Sequence, residues 1–334
     1  MTCDEVLAGA ADARMLVVGD ICLDRWCRYD PSLGEPSAET GIPRVAVTGT
    51  SVTPGAGGTV AANLAALNVG HVGVLGAVGE DGHAHELREA LRARRIGIGH
   101  LVSTDAAATF TYTKLINDRT GREDLPRVDF VNARPLPQAA ERRLVNRFLS
   151  VADDYDAVIV ADQAETDQGG VVTPRLREAA CERALARPGQ IFVADSRRRV
   201  QRFRNVIATP NESEAALACI EEFGEADTSS FGRLHRLIGG PALVVSAGGA
   251  GAWLVDDCGS RLLQSRAAGD VVDVCGAGDS LAAGLALALV SGAGIESALR
   301  FGIIVAGVTV TKPGTGTASP QEVLAVAASA AGGR

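Results

Sequence analysis

Aromatic side chains are scarce in this 334-residue chain: Phe, Tyr and Trp together make up 4%. So few aromatics argue against the stacking platforms that bind single-stranded nucleic acid. The seven cysteines are odd in number, and no two are spaced C-x-x-C. A disulfide framework or zinc site is therefore not expected, and a reducing cytoplasm fits best. The five histidines form no H-E-x-x-H, and His83-Ala84-His85 reads as a surface stretch of a polar helix. No apolar run reaches the ~20 residues needed to span a bilayer. The first residues show no basic region followed by an apolar core, so no signal peptide is expected. Neither a G-x-x-x-x-G-K-[ST] phosphate loop nor the protein-kinase motif set is present. The formal net charge of −8 repels phosphate backbones and disfavours a nucleic-acid partner. A local basic pocket for one small anion remains compatible with that charge.

What is there describes a folded protein. Hydrophobic residues make up 46% and charged residues 22%, and residues 1–334 are long enough for one large α/β domain. Short apolar runs at Met15–Gly19, His71–Val78, Ala157–Ala161, Ile191–Ala194, Val206–Thr209 and Leu243–Ser246 read as strands. Helical spacing fills Gly58–Val69, Asp81–Arg95, Pro174–Ala186, Gly278–Val290, Glu296–Val310 and Pro320–Ala330. This alternation predicts a mostly parallel central sheet with helices on both faces. Ligands of such sheets bind at the carboxyl ends of the strands, where Asp20, Asp162, Asp195 and Asn211 fall. Two segments, about 25–54 and 107–132, break the alternation. They carry extended runs and are expected to form a small β-sheet lid over the ligand cleft. The glycine- and alanine-rich tail from Ala327 to Arg334 is expected to fray.

The chemistry concentrates near the C-terminus. Gly276-Ala277-Gly278-Asp279 precedes a long apolar helix. Small residues at a helix start let unpaired N–H groups converge on an anion, and the helix dipole favours negative charge there. Phosphoryl transfer needs such a place, together with a base for the acceptor hydroxyl, and Asp279 can serve as that base. The same residues also read as a plain glycine turn. Asn211 and Glu214, three apart at a helix start, can order water around a phosphate-bound magnesium ion, or can form a capping box. Gly55-Ala56-Gly57-Gly58 leads into helical spacing, with Val60 where a dinucleotide fingerprint needs its third glycine. A glycine floor of Gly57 and Gly58 approaching a sugar, with Asn63 bonding its hydroxyls, is the preferred reading.

Together these motifs resemble the ribokinase-like, or PfkB, carbohydrate kinases along nearly the whole chain. The run from Asp273 to Asp279 is similar to the family's C-terminal signature, and Gly57-Gly58 with Asn63 to its N-terminal one. Gly79-Glu80-Asp81-Gly82, Asn211-x-x-Glu214 and the turn Ser246–Gly251 follow in the family's order. The resemblance implies a three-layer ribokinase-like fold and an ATP-dependent sugar kinase. Within the family, Gly19–Trp26, Ser37–Val45, Lys114 and Arg127–Phe130 most resemble bacterial heptose-7-phosphate kinases. That subgroup implies transfer of the γ-phosphate to an anomeric hydroxyl. Asp24, Gly57, Gly58, Asn63, Lys114, Arg127 and Asp162 would then hold the sugar. ATP would lie along Ser246, Gly248, Gly251, Lys312 and Gly314, with Mg2+ at Asn211 and Glu214 and K+ near Asp273. The amides of Gly276, Ala277 and Gly278 would steady the transferred group, and the lid would join two copies as a homodimer. Three departures touch this pattern. Cys275 stands where the family usually has Thr, Asp162-Gln163-Ala164-Glu165 replaces Asp-Tyr-Gly-Lys-Gly, and Gly55-Ala56-Gly57 replaces the start of Pro-Gly-Gly-Ala-Ala-Asn. Alternatives are a kinase of ribose, fructose, tagatose phosphate or a nucleoside, a sugar-binding regulator without catalysis, and a dinucleotide oxidoreductase.

Overall fold

The computed structural model describes residues 1–166, 168–225, 230–265 and 268–332. In chain order the strands are β1 (Arg14–Gly19), β2 (Ile21–Tyr29), β3 (Val47–Ala56), β4 (His71–Leu75), β5 (Ala77–Gly79), β6 (Val102–Thr104) and β7 (Thr111–Asn117). They continue as β8 (Val128–Phe130), β9 (Ala157–Asp162), β10 (Ile191–Ser196), β11 (Ile207–Ala208), β12 (Leu243–Ser246), β13 (Gly251–Asp256) and β14 (Gly259–Gln264). Eight of them form one sheet in the order β14-β13-β12-β11-β10-β9-β1-β4. It is parallel from β4 to β12 and closes with antiparallel β13 and β14.

The central strands are apolar throughout because both of their faces are covered. Along β1, Met15 and Val17 enter one core while Leu16 and Val18 enter the other, and β9 alternates in the same way. One face is packed by α1 (Cys3–Gly9), α2 (Gly57–Ala66), α3 (Gly82–Ala93), α8 (Ala277–Val290) and α9 (Ile295–Thr309). The other takes α4 (Gln138–Val151), α5 (Pro174–Ala186), α6 (Glu212–Phe223) and α7 (Ser230–Ile238). This is the three-layer arrangement predicted from the sequence. A last helix, α10, spans Pro320–Gly332; the final two residues lie outside the described set.

The predicted lid is present as a separate sheet, ordered β3-β2-β7-β8. It begins earlier than the sequence suggested. Only Asp20 separates β1 from β2, so the lid grows directly out of a body strand. The predicted strand His71–Val78 breaks at Gly76: β4 stays in the central sheet, while β5 pairs with β6 in a two-stranded ribbon.

Asp20 fixes the floor at this junction. Its buried carboxylate accepts the backbone N–H groups of Gln163 (2.8 Å), Ala164 (2.9 Å) and Val171 (2.7 Å). Gln163, Ala164 and Val171 are thereby pinned beside the cleft. Burial, and then the neighbouring Asp162, push the Asp20 carboxyl up to about 6, and the three N–H bonds limit that rise.

Candidate active site

A cleft of about 160 Å3 opens between the lid and the carboxyl ends of β9 and β10. The lid lines it with Asp24, Trp26, Tyr112, Lys114 and Arg127. The body contributes Thr59, Gln163, Glu165, Arg197, Cys275, Gly276 and Asp279.

Asp279 stands in the first turn of α8 and is 8% exposed. Its Oδ1 is buried and has no hydrogen-bond partner. Burial raises this carboxyl well above the usual carboxylate range; Asp195 raises it further, and Arg197 opposes the rise. An orphaned carboxylate oxygen at the wall of a cleft is what an incoming hydroxyl would satisfy.

Gly276 caps α8 with φ of 78°, a left-handed conformation that a side chain would strain. The turn leaves the N–H groups of Gly276, Gly278 and Asp279 without a backbone acceptor among the described residues. Ala277 departs from expectation, because its N–H is already given to Val274 O at 3.2 Å. The anion cradle is thus offered by Gly276, Gly278 and Asp279, one step away from the predicted set.

On the lid, burial lifts the Asp24 carboxyl to about 6, against the pull of Lys114 and Arg127. A Cβ on Gly55 would lie 2.4 Å from Asp24 Oδ1, so the bare glycine makes room for this carboxylate. Lys114 and Arg127 both reach the cleft as predicted. Arg127 is steadied by Asp129 at 2.7 Å and sits 5.0 Å over the Tyr112 ring. Gly57, Gly58 and Asn63 lie beneath the floor and are fully buried. The Asn63 amide donates to Thr59 O at 3.0 Å while its Oδ1 is buried without a partner; Ala56 and Thr59 line the cleft above it.

Asp162 is also displaced from its expected role. It is fully buried, accepts from Ser196 Oγ at 2.7 Å and pairs with Arg199 Nη2 at 2.9 Å. The next residue faces the cleft instead. Gln163 donates from Nε2 to Asp195 at 2.7 Å and accepts Arg197 Nε at 2.7 Å. Side chains alternate along a strand, so an error of one residue at its end swaps a core ligand for a cleft residue. Arg197, Gln163, Glu165 and Tyr112 were missed by sequence reasoning. The available signal was position: Arg197 comes two residues after Asp195, just past a strand end.

The nucleotide side is more tightly bonded than expected. Asn211 and Glu214 form a full capping box on α6, with both reciprocal bonds at 2.9 Å. Glu214 Oε1 also meets Arg197 Nη1 at 3.2 Å. No three His, Cys, Asp or Glu side chains among the described residues converge as a metal site. Asn211 Oδ1 and both Glu214 carboxylate oxygens are engaged by protein donors. Asp273 spends Oδ1 on Cys275 N (2.9 Å) and Oδ2 on Gly314 N (3.1 Å). It clamps two loops together. The Lys312 ammonium bonds Thr317 O and pairs with Glu322 at 2.7 Å. Ser246 sits beside Asn211 through a parallel bridge, with Gly248 and Gly251 in the following turn, outside the cleft lining.

The profile of the pfkB family carbohydrate kinases matches residues 13–322. The chain belongs to that family. Among curated relatives, the bifunctional protein HldE of Azorhizobium caulinodans is 31% identical over 326 residues, 96% of this chain and 65% of that protein. The chain thus spans less than two thirds of that relative's length. Ribokinase from Thermotoga maritima shares the fold, with a TM-score of 0.71 at 21% identity, covering 94% of this kinase and 98% of that chain. Arabidopsis thaliana ribokinase, solved with ribose and ATP, gives a TM-score of 0.67 at 20% identity, covering 94% and 98%. Among the described residues, no helix of the kinase is long and apolar enough to cross a membrane.

Proposed function

We propose that this kinase transfers the γ-phosphate of ATP to the anomeric hydroxyl of a heptose 7-phosphate. The buried, unpartnered Oδ1 of Asp279 beside an open N–H cradle carries the phosphotransfer reading. The acceptor hydroxyl gives its proton to Asp279 while the amides of Gly276, Gly278 and Asp279 face the charge on the moving group. Magnesium, carried on the nucleotide's phosphates, would offset their charge. The substrate reading rests on the similarity to HldE and on two lid cations, Lys114 and Arg127, that face the cleft together. Two such cations suit a phosphate on the acceptor better than a neutral sugar.

The test is ADP release with heptose 7-phosphate, ribose, fructose, fructose 6-phosphate, tagatose 6-phosphate and adenosine as acceptors. We expect the heptose phosphate to lead by about 100-fold in kcat/KM, a difference of about 3 kcal/mol. A neutral sugar or nucleoside in first place would sink the substrate reading. Saturable sugar binding without ADP release would point instead to a regulator. One observation favours a different sugar phosphate: Glu165 brings a carboxylate to the cleft wall, where the resemblance led us to expect Lys.

Gly55→Ala probes the sugar side separately. The new Cβ would push the Asp24 carboxylate aside, and the acceptor KM should rise about tenfold, with ATP KM and folding unchanged. Steady-state kinetics with each substrate varied in turn would show this.

The chain is read as one kinase unit with its lid, working in the cytoplasm. Exposed Val47, Val128, Phe130 and Val131 on and beside the lid strands suit a homodimer formed through that sheet.

A further inference from the structure

One charged side chain of the cleft has no part in the reading above. Arg197 follows β10 and stands between the two halves of the machinery. Its Nε donates to Gln163 Oε1 at 2.7 Å, and its Nη1 meets Glu214 Oε1 at 3.2 Å. Among the described residues Nη2 has no hydrogen-bond partner, and the side chain is 49% exposed in the cleft. The guanidinium also feels the carboxylates of Asp195 and Asp279. It therefore touches the phosphate-side residue Glu214 and lies close to the carboxylate that would take the acceptor's proton. A group passing from nucleotide to sugar must cross that interval.

We propose that Arg197 is a catalytic residue whose free guanidinium edge binds the phosphoryl group in transit. The inference rests on the sugar-kinase reading of the same cleft. In the step, the bond between the γ-phosphorus and the β,γ-bridging oxygen breaks, and its electron pair leaves with ADP. The acceptor oxygen forms the new bond to phosphorus, and its proton goes to Asp279. In transit the charge is spread over the three equatorial oxygens, and a planar fork of N–H donors suits that arrangement. Gln163 and Glu214 hold the fork from one side and leave the other open. Asp195 holds Gln163 in turn, at 2.7 Å. The chain thus supplies its own arginine for a charge that the Gly276 to Asp279 amides approach from the helix side.

The experiment compares wild type with Arg197→Met and Arg197→Lys, using the acceptor that wild type turns over fastest. Melting curves of both variants confirm folding. Arg197→Met should lower kcat about 100- to 1,000-fold while the acceptor KM moves less than threefold. Arg197→Lys should recover part of the rate, because it restores a point charge without the fork. Binding of ADP, magnesium and aluminium fluoride, a mimic of the phosphoryl group in flight, should weaken about as much as kcat falls. Binding of ATP alone should not. A kcat within fivefold of wild type overturns the proposal. So does a loss confined to acceptor KM, which would make Arg197 a sugar ligand. A parallel loss of melting temperature and of both substrates' affinity, with the mimic unaffected beyond them, overturns it in favour of a structural role. If wild type itself releases no ADP with any acceptor, the sugar-kinase reading falls first and this proposal falls with it.

Discussion

Asp279→Asn is expected to lower kcat by about 10⁴-fold and, at the same time, to make the protein more stable. The loss follows from removing the base that receives the acceptor's proton, a contribution of about 10²- to 10⁴-fold in enzymes generally. The gain follows from the burial of the group: its Oδ1 has no partner, and a buried charge without one costs free energy. Neutralising it should return about 1–3 kcal/mol, or a rise of a few degrees in melting temperature. Activity and stability should also part with pH. The folded-state carboxyls of Asp20, Asp24 and Asp195 are each raised to about 6, and that of Asp279 is raised as well. Unfolded, such groups titrate near ~4. Between roughly pH 4 and 6 the folded protein therefore holds protons that the unfolded chain has released. Their contribution to stability is full at the acid end and is lost as pH rises through about 6. The rate runs the other way, because a protonated Asp279 accepts no proton. The melting-temperature advantage of Asp279→Asn should accordingly be larger at the alkaline end of the folded protein's pH range and fade as pH falls and the wild-type carboxyl takes up its proton. An advantage that stays flat across that range would refute the account of the buried charge.

Arg199→Met should be the most damaging single change to the fold, at about 3–5 kcal/mol. Arg199 bonds both oxygens of fully buried Asp162, and it also donates to Ala164 O and Thr166 O. Removing it leaves a carboxylate stranded in the core and unties the loop that carries Gln163 and Glu165. The urea midpoint should fall with an unchanged m-value. Asp162→Asn removes the charge rather than stranding it and should cost less. In that variant acceptor KM should stay within about threefold of wild type, which separates a structural Asp162 from a sugar ligand. A tenfold rise in KM would return Asp162 to the substrate list.

The sequence was most legible where one physical rule acts alone. Strands β1, β9 and β10 are buried on both faces, so continuous apolar runs announce them. Helix α5 begins at Pro174, behind the capping residue Thr173, and was placed to the residue. Strand β2 was hidden because Asp24, Arg25 and Trp26 interrupt its pattern, and they do so because they face the cleft and the lid rather than a core. The antiparallel pair β13 and β14 was missed for a similar reason, as its outer strand is largely exposed. Among site residues, Asp279, Asp24, Lys114 and Arg127 reached the cleft as expected. Asp162, Asp273 and Lys312 did not, and in each case the decisive partner is remote in sequence or on another segment: Arg199, Gly314 and Glu322. The charge type was readable from the chain, but its pairing was not. Arg197 is the converse case, a residue without a familiar motif that geometry brings to the centre.

The lid sheet and the body divide the charge of the cleft between them. On the lid Lys114 and Arg127 outnumber Asp24, while on the body Glu165 and Asp279 outnumber Arg197. A lid lifted away would carry its positive charge with it, leaving the body's side more acidic and less welcoming to phosphate.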